Sequence, residues 1–175
     1  MHYRRAPAPG GTFFFTVNLH DRHGDLLTRH IHALREAVRQ VKARHPFTIV
    51  AWVVLPEHMH AVWALPTDDA DFATRWALIK ANFSRAIGQG EPVSASRRRK
   101  GERGIWQRRF WEHQIRDQRD LAHHVDYAHI NPVKHGHVPR AADWPFSSIH
   151  RYIGQGAFGA DWACEMDSTA GRGER

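Results

Sequence analysis

The sequence predicts an α+β fold: a four-stranded antiparallel sheet with helices on one face, plus a helix appended after the last strand. Three observations predict it. The chain has 175 residues, the length of one domain, and 42% of them are hydrophobic, including nine Phe and seven Trp, which is ample for a packed core. Hydrophobic patterns of period two and period 3.6 alternate along it in the order β-α-β-β-α-β-α. The first six elements then follow the split βαβ arrangement, ferredoxin-like, in which both crossover helices lie on the same side of the sheet.

Each element has its own warrant. Thr12 to Leu19 alternates as a strand, with Phe13, Phe15, Val17 and Leu19 on one face. From Thr28 to Arg44, Ile31, Leu34, Val38 and Val41 recur at helical steps, and Pro46 ends the helix. Phe47 to Leu55 is β-branched and aromatic, as a buried central strand should be. Pro56-Glu57 breaks it, and His58 to Leu65 returns as the antiparallel neighbour. Asp71 to Ile87 carries Phe72, Trp76, Ile79 and Phe83 on one helical stripe. Residues 88–104 form a loop rich in Gly, Ser and Arg, and Ile105 to Arg116 reads as the fourth strand. Asp120 to Ile130 is a helix with Asp120 as its N-cap. Asn131-Pro132 then interrupts it, and one further turn closes at Gly136. Residues 1–11 are read as an arm, 12–160 as a single domain and 161–175 as a disordered tail.

Composition narrows the function. One cysteine, Cys164, excludes a disulfide framework and a multi-cysteine zinc site. The longest strongly apolar run, Phe47 to Leu55, falls far short of the ~20 residues of a membrane helix. With no signal-peptide pattern at the N-terminus, a cytoplasmic, nucleoid-associated protein with no membrane contact is expected. Of the formal +7 net charge, +6 lies between Ser96 and Phe110, where Arg97, Arg98, Arg99, Lys100, Arg103, Arg108 and Arg109 face the single acid Glu102. Such a block is often just a solvated loop, but clustered guanidinium groups also displace counterions from a polyanion. Trp106, Phe110 and Trp111 follow, either as core residues or as rings on which bases stack.

Two motifs bear on chemistry. Gly154 to Gly159 matches the dinucleotide pattern GxGxxG, but too little chain follows for the βαβ unit that pattern requires, so it reads as a glycine-rich loop. Of the three His-x-His pairs, His30/His32 fall on a helix, about 200° apart, and His135/His137 flank Gly136 at a turn. Only His58/His60 lie on a strand, where both imidazoles point to one face and Met59, Ala61, Trp63 and Leu65 fill the other. That pair can hold one divalent ion with positions left open for a third ligand and a substrate oxygen. In the last helix, Tyr127 and Asn131 are four apart and share a face. With Leu121 at zero, Val125 at about 40° and Ala128 at about −20° mark the buried stripe. Tyr127 at about 240° and Asn131 at about 280° are expected to project away from it.

Pro56-Glu-His-Met-His60 resembles the His-hydrophobic-His metal motif of the single-strand tyrosine transposases. Trp106-Gln-Arg-Arg-Phe-Trp-Glu-His113, Tyr127-Ala-His-Ile-Asn-Pro-Val-Lys-His-Gly136 and Trp144-Pro-Phe-Ser-Ser148 are similar to the later blocks of one branch, the REP-associated tyrosine transposases. The match runs in order from about Thr12 to Tyr152. This resemblance implies a ferredoxin-like sheet presenting the histidines and a helix presenting one nucleophilic tyrosine. It implies metal-dependent cleavage and rejoining of single-stranded DNA beside hairpin elements. His58 and His60 become metal ligands, Asn131 the third ligand and Tyr127 the nucleophile forming a 5′-phosphotyrosine. The ion would be magnesium or manganese, the partner single-stranded or hairpin DNA, and the assembly a monomer or homodimer. Asn131 stands where the wider superfamily more often has Gln, and Glu57 where Asn is frequent; Glu57 is left as a ligand, a partner of a ligand, or part of the turn. The basic residues from Arg97 to Arg109 would grip the hairpin backbone. The alternative from another class is a non-catalytic nucleic-acid-binding module of the same sheet type, binding without metal or Tyr127. A metal hydrolase using activated water would release products with no adduct.

Overall fold

The computed structural model describes residues 9–90 and 93–164. Strands β1 (Thr12–Asn18), β2 (Thr48–Val54), β3 (His58–Ala64) and β4 (Trp111–Gln114) form one antiparallel sheet in the order β2-β3-β1-β4. Helices α1 (Leu26–Arg29) and α2 (Ile31–Arg44) follow β1, and α3 (Phe72–Ala86) follows β3. The short α4 (Ala95–Arg99) lies in the basic loop, and α5 (Gln118–Lys134), a 3-10 turn at Ala141–Asp143 and α6 (Ile149–Gly154) complete the fold. The expected ferredoxin-like sheet and its crossover helices are present.

Strand alternation divides the interior in two. Phe13, Phe15, Val17, Met59, Ala61 and Trp63 point to one face and pack with Leu34, Val38 and Val41 of α2 and Trp76, Ile79 and Phe83 of α3. Phe14, Ala51, Val53 and Val62 point to the other, where Val125 and Ala128 of α5 cover them. The appended helix therefore closes the second face of the sheet instead of extending the first.

Several boundaries differ from those the pattern predicts. The first helix breaks at His30 into α1 and α2, and the basic loop contains α4. The fourth strand is only four residues long. Upstream of it Trp106 turns into the core, its indole N–H reaching Lys80 O and Ser84 Oγ, and the chain pairs at the end of β1 through the Leu19–Trp106 bridge, where Gln107 N–H donates to Asn18 O. Helix α5 begins earlier, on Asp117, whose carboxylate accepts the Asp120 N–H; Asp120 is three residues inside. Nor does Asn131-Pro132 interrupt it. Pro132 falls in the last turn, where its missing N–H forfeits one helical bond, and Pro132 and Val133 are buried there. The end is a Schellman arrangement: His137 N–H donates to Pro132 O, Gly136 N–H to Val133 O, and Gly136 takes φ +72°.

The C-terminal segment covers a sheet edge. Ser148 N–H donates to Trp52 O, Ser148 Oγ accepts the Trp52 N–H, Val54 N–H donates to Phe146 O, and the Trp144 indole donates to Val54 O. The exposed side of β2 is thereby satisfied. Residues 161–164 are not a frayed tail: Ala163 is buried, Trp162 stacks on Phe158 at 4.3 Å, and Cys164 bridges Arg140. Their apolar side chains join the cluster around Val133 and Ile149. The rest of the expected tail, and residues 1–8 of the arm, lie outside the described residues.

Candidate active site

The site forms where β3, β1 and α5 meet. In the β1–β3 ladder, Thr16 pairs with His60 and Asn18 with His58, so both imidazoles project towards α5. Their rings are 5.0 Å apart and both are buried, at 3% exposure. Each ring is oriented through Nδ1: His58 by Glu57 Oε1 at 2.8 Å, His60 by Thr16 Oγ1 at 3.0 Å. Nε2 is then the nitrogen each offers to a metal, the usual arrangement of an oriented histidine ligand.

Titration follows from burial. Desolvation pushes His60 down to about 3, with the charge of His58 adding to the fall and the Asn131 side chain opposing it. Burial also lowers His58, against the pull of the Glu57 carboxylate. Both rings are neutral at pH 7, the form that ligates metals.

Helix α5 brings the other residues. The Tyr127 ring lies 5.3 Å from that of His60 and 5.9 Å from that of Phe14, and Lys134 Nζ lies 5.2 Å from its centre. Asn131 is fully buried; its Nδ2 donates to Tyr127 O, which turns Oδ1 away from the helix backbone. The helical wheel thus misplaces this pair. Tyr127 is half-buried against the second core and Asn131 wholly buried, because the sheet and the C-terminal segment cover α5 over a far wider arc than the Leu121–Val125–Ala128 stripe.

Two buried atoms here make no hydrogen bond of normal geometry, His60 Nε2 and Asn131 Oδ1, although the Asn131 side chain is near enough to His60 to favour its protonation. An unpaired buried acceptor costs about 1–3 kcal/mol. Neutral imidazole nitrogen and amide oxygen are both ligand atoms for a divalent cation, so the donor set fits one.

The seven basic residues separate into two groups. Arg98, Arg99, Lys100, Arg108 and Arg109 are exposed. Arg97 donates to Trp106 O, and Arg103 donates to Ser84 O, Ile87 O and Gly88 O at the end of α3, so these two pin the loop to the fold. Trp106 and Phe110 join the core, whereas Trp111 is 53% exposed.

Thr16, Phe14 and Lys134 carry no signal in the sequence pattern, and His135, read there only as one of a pair at a turn, brings its ring 5.3 Å from that of His58. Thr16 can be found only from the strand register. A further group, His113, Asp120 and His124, brings three potential ligand atoms within 4.8 Å of one another beyond Phe14. The second face of the sheet is covered by α5, unlike the open sheet of an RNA-recognition domain. Among the described residues no helix is long and apolar enough to cross a membrane.

No protein-family model matches the chain. A REP-associated tyrosine transposase of Escherichia coli K12 is 50% identical over 170 residues, 97% of this chain and 95% of that protein. A Haemophilus influenzae protein provisionally given the same name is 43% identical over 167 residues, 95% of each chain. A solved structure of a REP-associated tyrosine transposase bound to a REP hairpin superposes with a TM-score of 0.81 at 50% identity, covering 94% of this chain and 92% of that one.

Proposed function

The chain belongs to the REP-associated tyrosine transposases, and we propose that it cuts and rejoins single-stranded DNA beside hairpin elements through a 5′-phosphotyrosine on Tyr127. The observation that carries this reading is the pair of unpartnered buried atoms, His60 Nε2 and Asn131 Oδ1, beside the Tyr127 ring.

His58, His60 and Asn131 would hold a divalent ion, magnesium or manganese. When bound, that ion supplies electrophilic polarisation of the scissile phosphate and draws off the charge that develops in the transition state. Glu57 and Thr16 keep the two imidazoles from rotating, and these contacts support an orienting role for Glu57. The Tyr127 phenol oxygen attacks phosphorus, its proton passing to solvent, and the bond to the 3′ oxygen breaks, that oxygen taking a proton from solvent to leave a 3′-hydroxyl. The phosphodiester energy stays in the tyrosyl ester, so a second 3′-hydroxyl attacking phosphorus breaks the bond to the Tyr127 oxygen, which regains a proton, and strands are rejoined without ATP. Lys134, over the Tyr127 ring, adds positive charge where the phosphate must approach. The solved relative is bound to a REP hairpin; here the exposed Arg98, Arg99, Lys100, Arg108 and Arg109 are the groups for the hairpin backbone.

The test is a labelled hairpin with single-stranded flanks, incubated with Mn2+ and run on a denaturing gel. Wild-type protein gives a covalent protein–DNA band. Tyr127→Phe gives none, and His60→Ala gives none while still binding the hairpin. An adduct with Tyr127→Phe, or cleaved product without any adduct in wild type, overturns the reading.

A further inference from the structure

We propose that Trp111 is a stacking platform for one unpaired nucleobase of the strand that passes through the active site. The inference rests on the reading above and deepens it by naming a subsite of the same centre.

Among the described residues, Trp111 is the one large hydrophobic side chain that is exposed, at 53%. Its position is tied to the site by the sheet itself. Thr16 pairs with His60 on one side and with Trp111 on the other, so Trp111, Thr16 and His60 form a row across β4, β1 and β3 on one face. At about 4.8 Å per strand spacing the indole stands roughly 10 Å from His60 along that row, within a nucleotide or two of a phosphate bound there.

The indole is also held still. His113 lies parallel to it at 5.9 Å and 5°, and His124 backs His113 at 4.5 Å and 17°. Asp120 clamps both: Oδ2 is 2.8 Å from His113 Nε2 and Oδ1 is 3.1 Å from His124 Nδ1. The Arg116 backbone N–H and guanidinium also donate to Oδ2. Held by all of these groups at one carboxylate, the His113–Asp120–His124 cluster acts as a brace behind Trp111. Phe14 meets the indole edge-on at 5.7 Å, and Phe14 in turn packs on Tyr127 and His60. One side of the indole is thus backed by a rigid ladder, and the rest is left to solvent.

The occupant follows from the charge around it. Arg108 and Arg109 are exposed just before Trp111, and Arg116 is exposed after it. A flat apolar ring with cations on both sides fits a base joined to its phosphates, and stacking of this kind accepts any base. Arg108 and Arg116 each also reach a carboxylate of this chain, Glu102 and Asp120, while their guanidinium groups stay at the surface.

The experiment measures binding alone, in EDTA, by fluorescence anisotropy. The probes are a DNA hairpin with short unpaired extensions, the same hairpin without them, and a series with one abasic site at each unpaired position in turn. One abasic position should weaken wild-type binding about tenfold and should cost Trp111→Ala nothing further. Trp111→Phe should fall between, and the blunt hairpin should bind all three proteins alike. Equal affinity of Trp111→Ala and wild type for the extended hairpin overturns the proposal, as does equal loss on extended and blunt hairpins. Should Trp111→Ala not fold, the abasic scan on wild type and Trp111→Phe decides, a flat scan overturning it. Because no cleavage is read, this result stands or falls separately from adduct formation on Tyr127.

Discussion

The Thr16 hydroxyl oxygen lies 3.0 Å from Nδ1 of His60, on the residue directly across the β1–β3 ladder. A backbone register thus fixes which nitrogen of a buried imidazole faces Tyr127 and Asn131. Thr16→Val keeps the shape and removes the oxygen, leaving the ring free to turn and Nδ1 unpaired. Losing such an orienting partner typically costs 10–100-fold in metal affinity. Mn2+ titration calorimetry on Thr16→Val should show a loss of about that size, with hairpin affinity in EDTA unchanged.

Ser148 joins three elements through one oxygen, accepting the Trp52 N–H and lying 2.8 Å from His129 Nε2. Ser148→Ala leaves a part-buried backbone donor at the β2 edge without its acceptor. A loss of about 1–3 kcal/mol in unfolding free energy is expected, read by urea denaturation, while adduct formation at 25 °C persists.

Acid should loosen the same contact. Burial pushes His129 down to about 4, with Arg151 and His150 adding to the fall. Between about 6.5, the ordinary histidine value, and 4, the unfolded chain takes up a proton that the folded chain refuses. Stability is therefore full above pH 6.5 and declines as pH falls towards 4. His60, lowered to about 3, extends the decline further. The melting temperature should fall across this window, and the fall should be shallower for His129→Gln, which carries no titrating ring.

The basic loop should divide by function. Replacing exposed Arg98, Arg99 and Lys100 by Ala removes charges without touching the fold. Hairpin affinity should drop, and the slope of log K against log salt should flatten by about 0.7–0.9 for each phosphate no longer neutralised. Arg103→Ala removes the donors holding Ser84 O, Ile87 O and Gly88 O, so it should lower the melting temperature instead.

Much of this fold is legible in the chain. The alternation of Phe13, Phe15 and Val17, the stripe of Trp76, Ile79 and Phe83, and the break at Pro56-Glu57 each report a local period, and a local period survives folding. His58 and His60 are readable for the same reason, since two residues on a strand must share a face. Tyr127 and Asn131 stand out by their spacing, but the wheel gives them the wrong direction. A helix wheel records its own apolar stripe, not the second surface that Ile149 and Ala141 lay against it. Pro132 reads as a break because a proline inside a helix loses a hydrogen bond and crowds the carbonyl four residues back; its burial in the last turn of α5 offsets that cost, and burial is not visible in the local pattern. Thr16 and the Trp111–His113–His124 ladder depend on strand register and on pairs distant in the chain, which one sequence does not reveal.

If His58, His60 and Asn131 hold one cation beside Tyr127, crystals soaked in Mn2+ and measured at the manganese edge will show it. One anomalous peak is expected at about 2.1–2.3 Å from Nε2 of both histidines and from Asn131 Oδ1. A peak at His113, Asp120 and His124 instead, with none at His58 and His60, would contradict it.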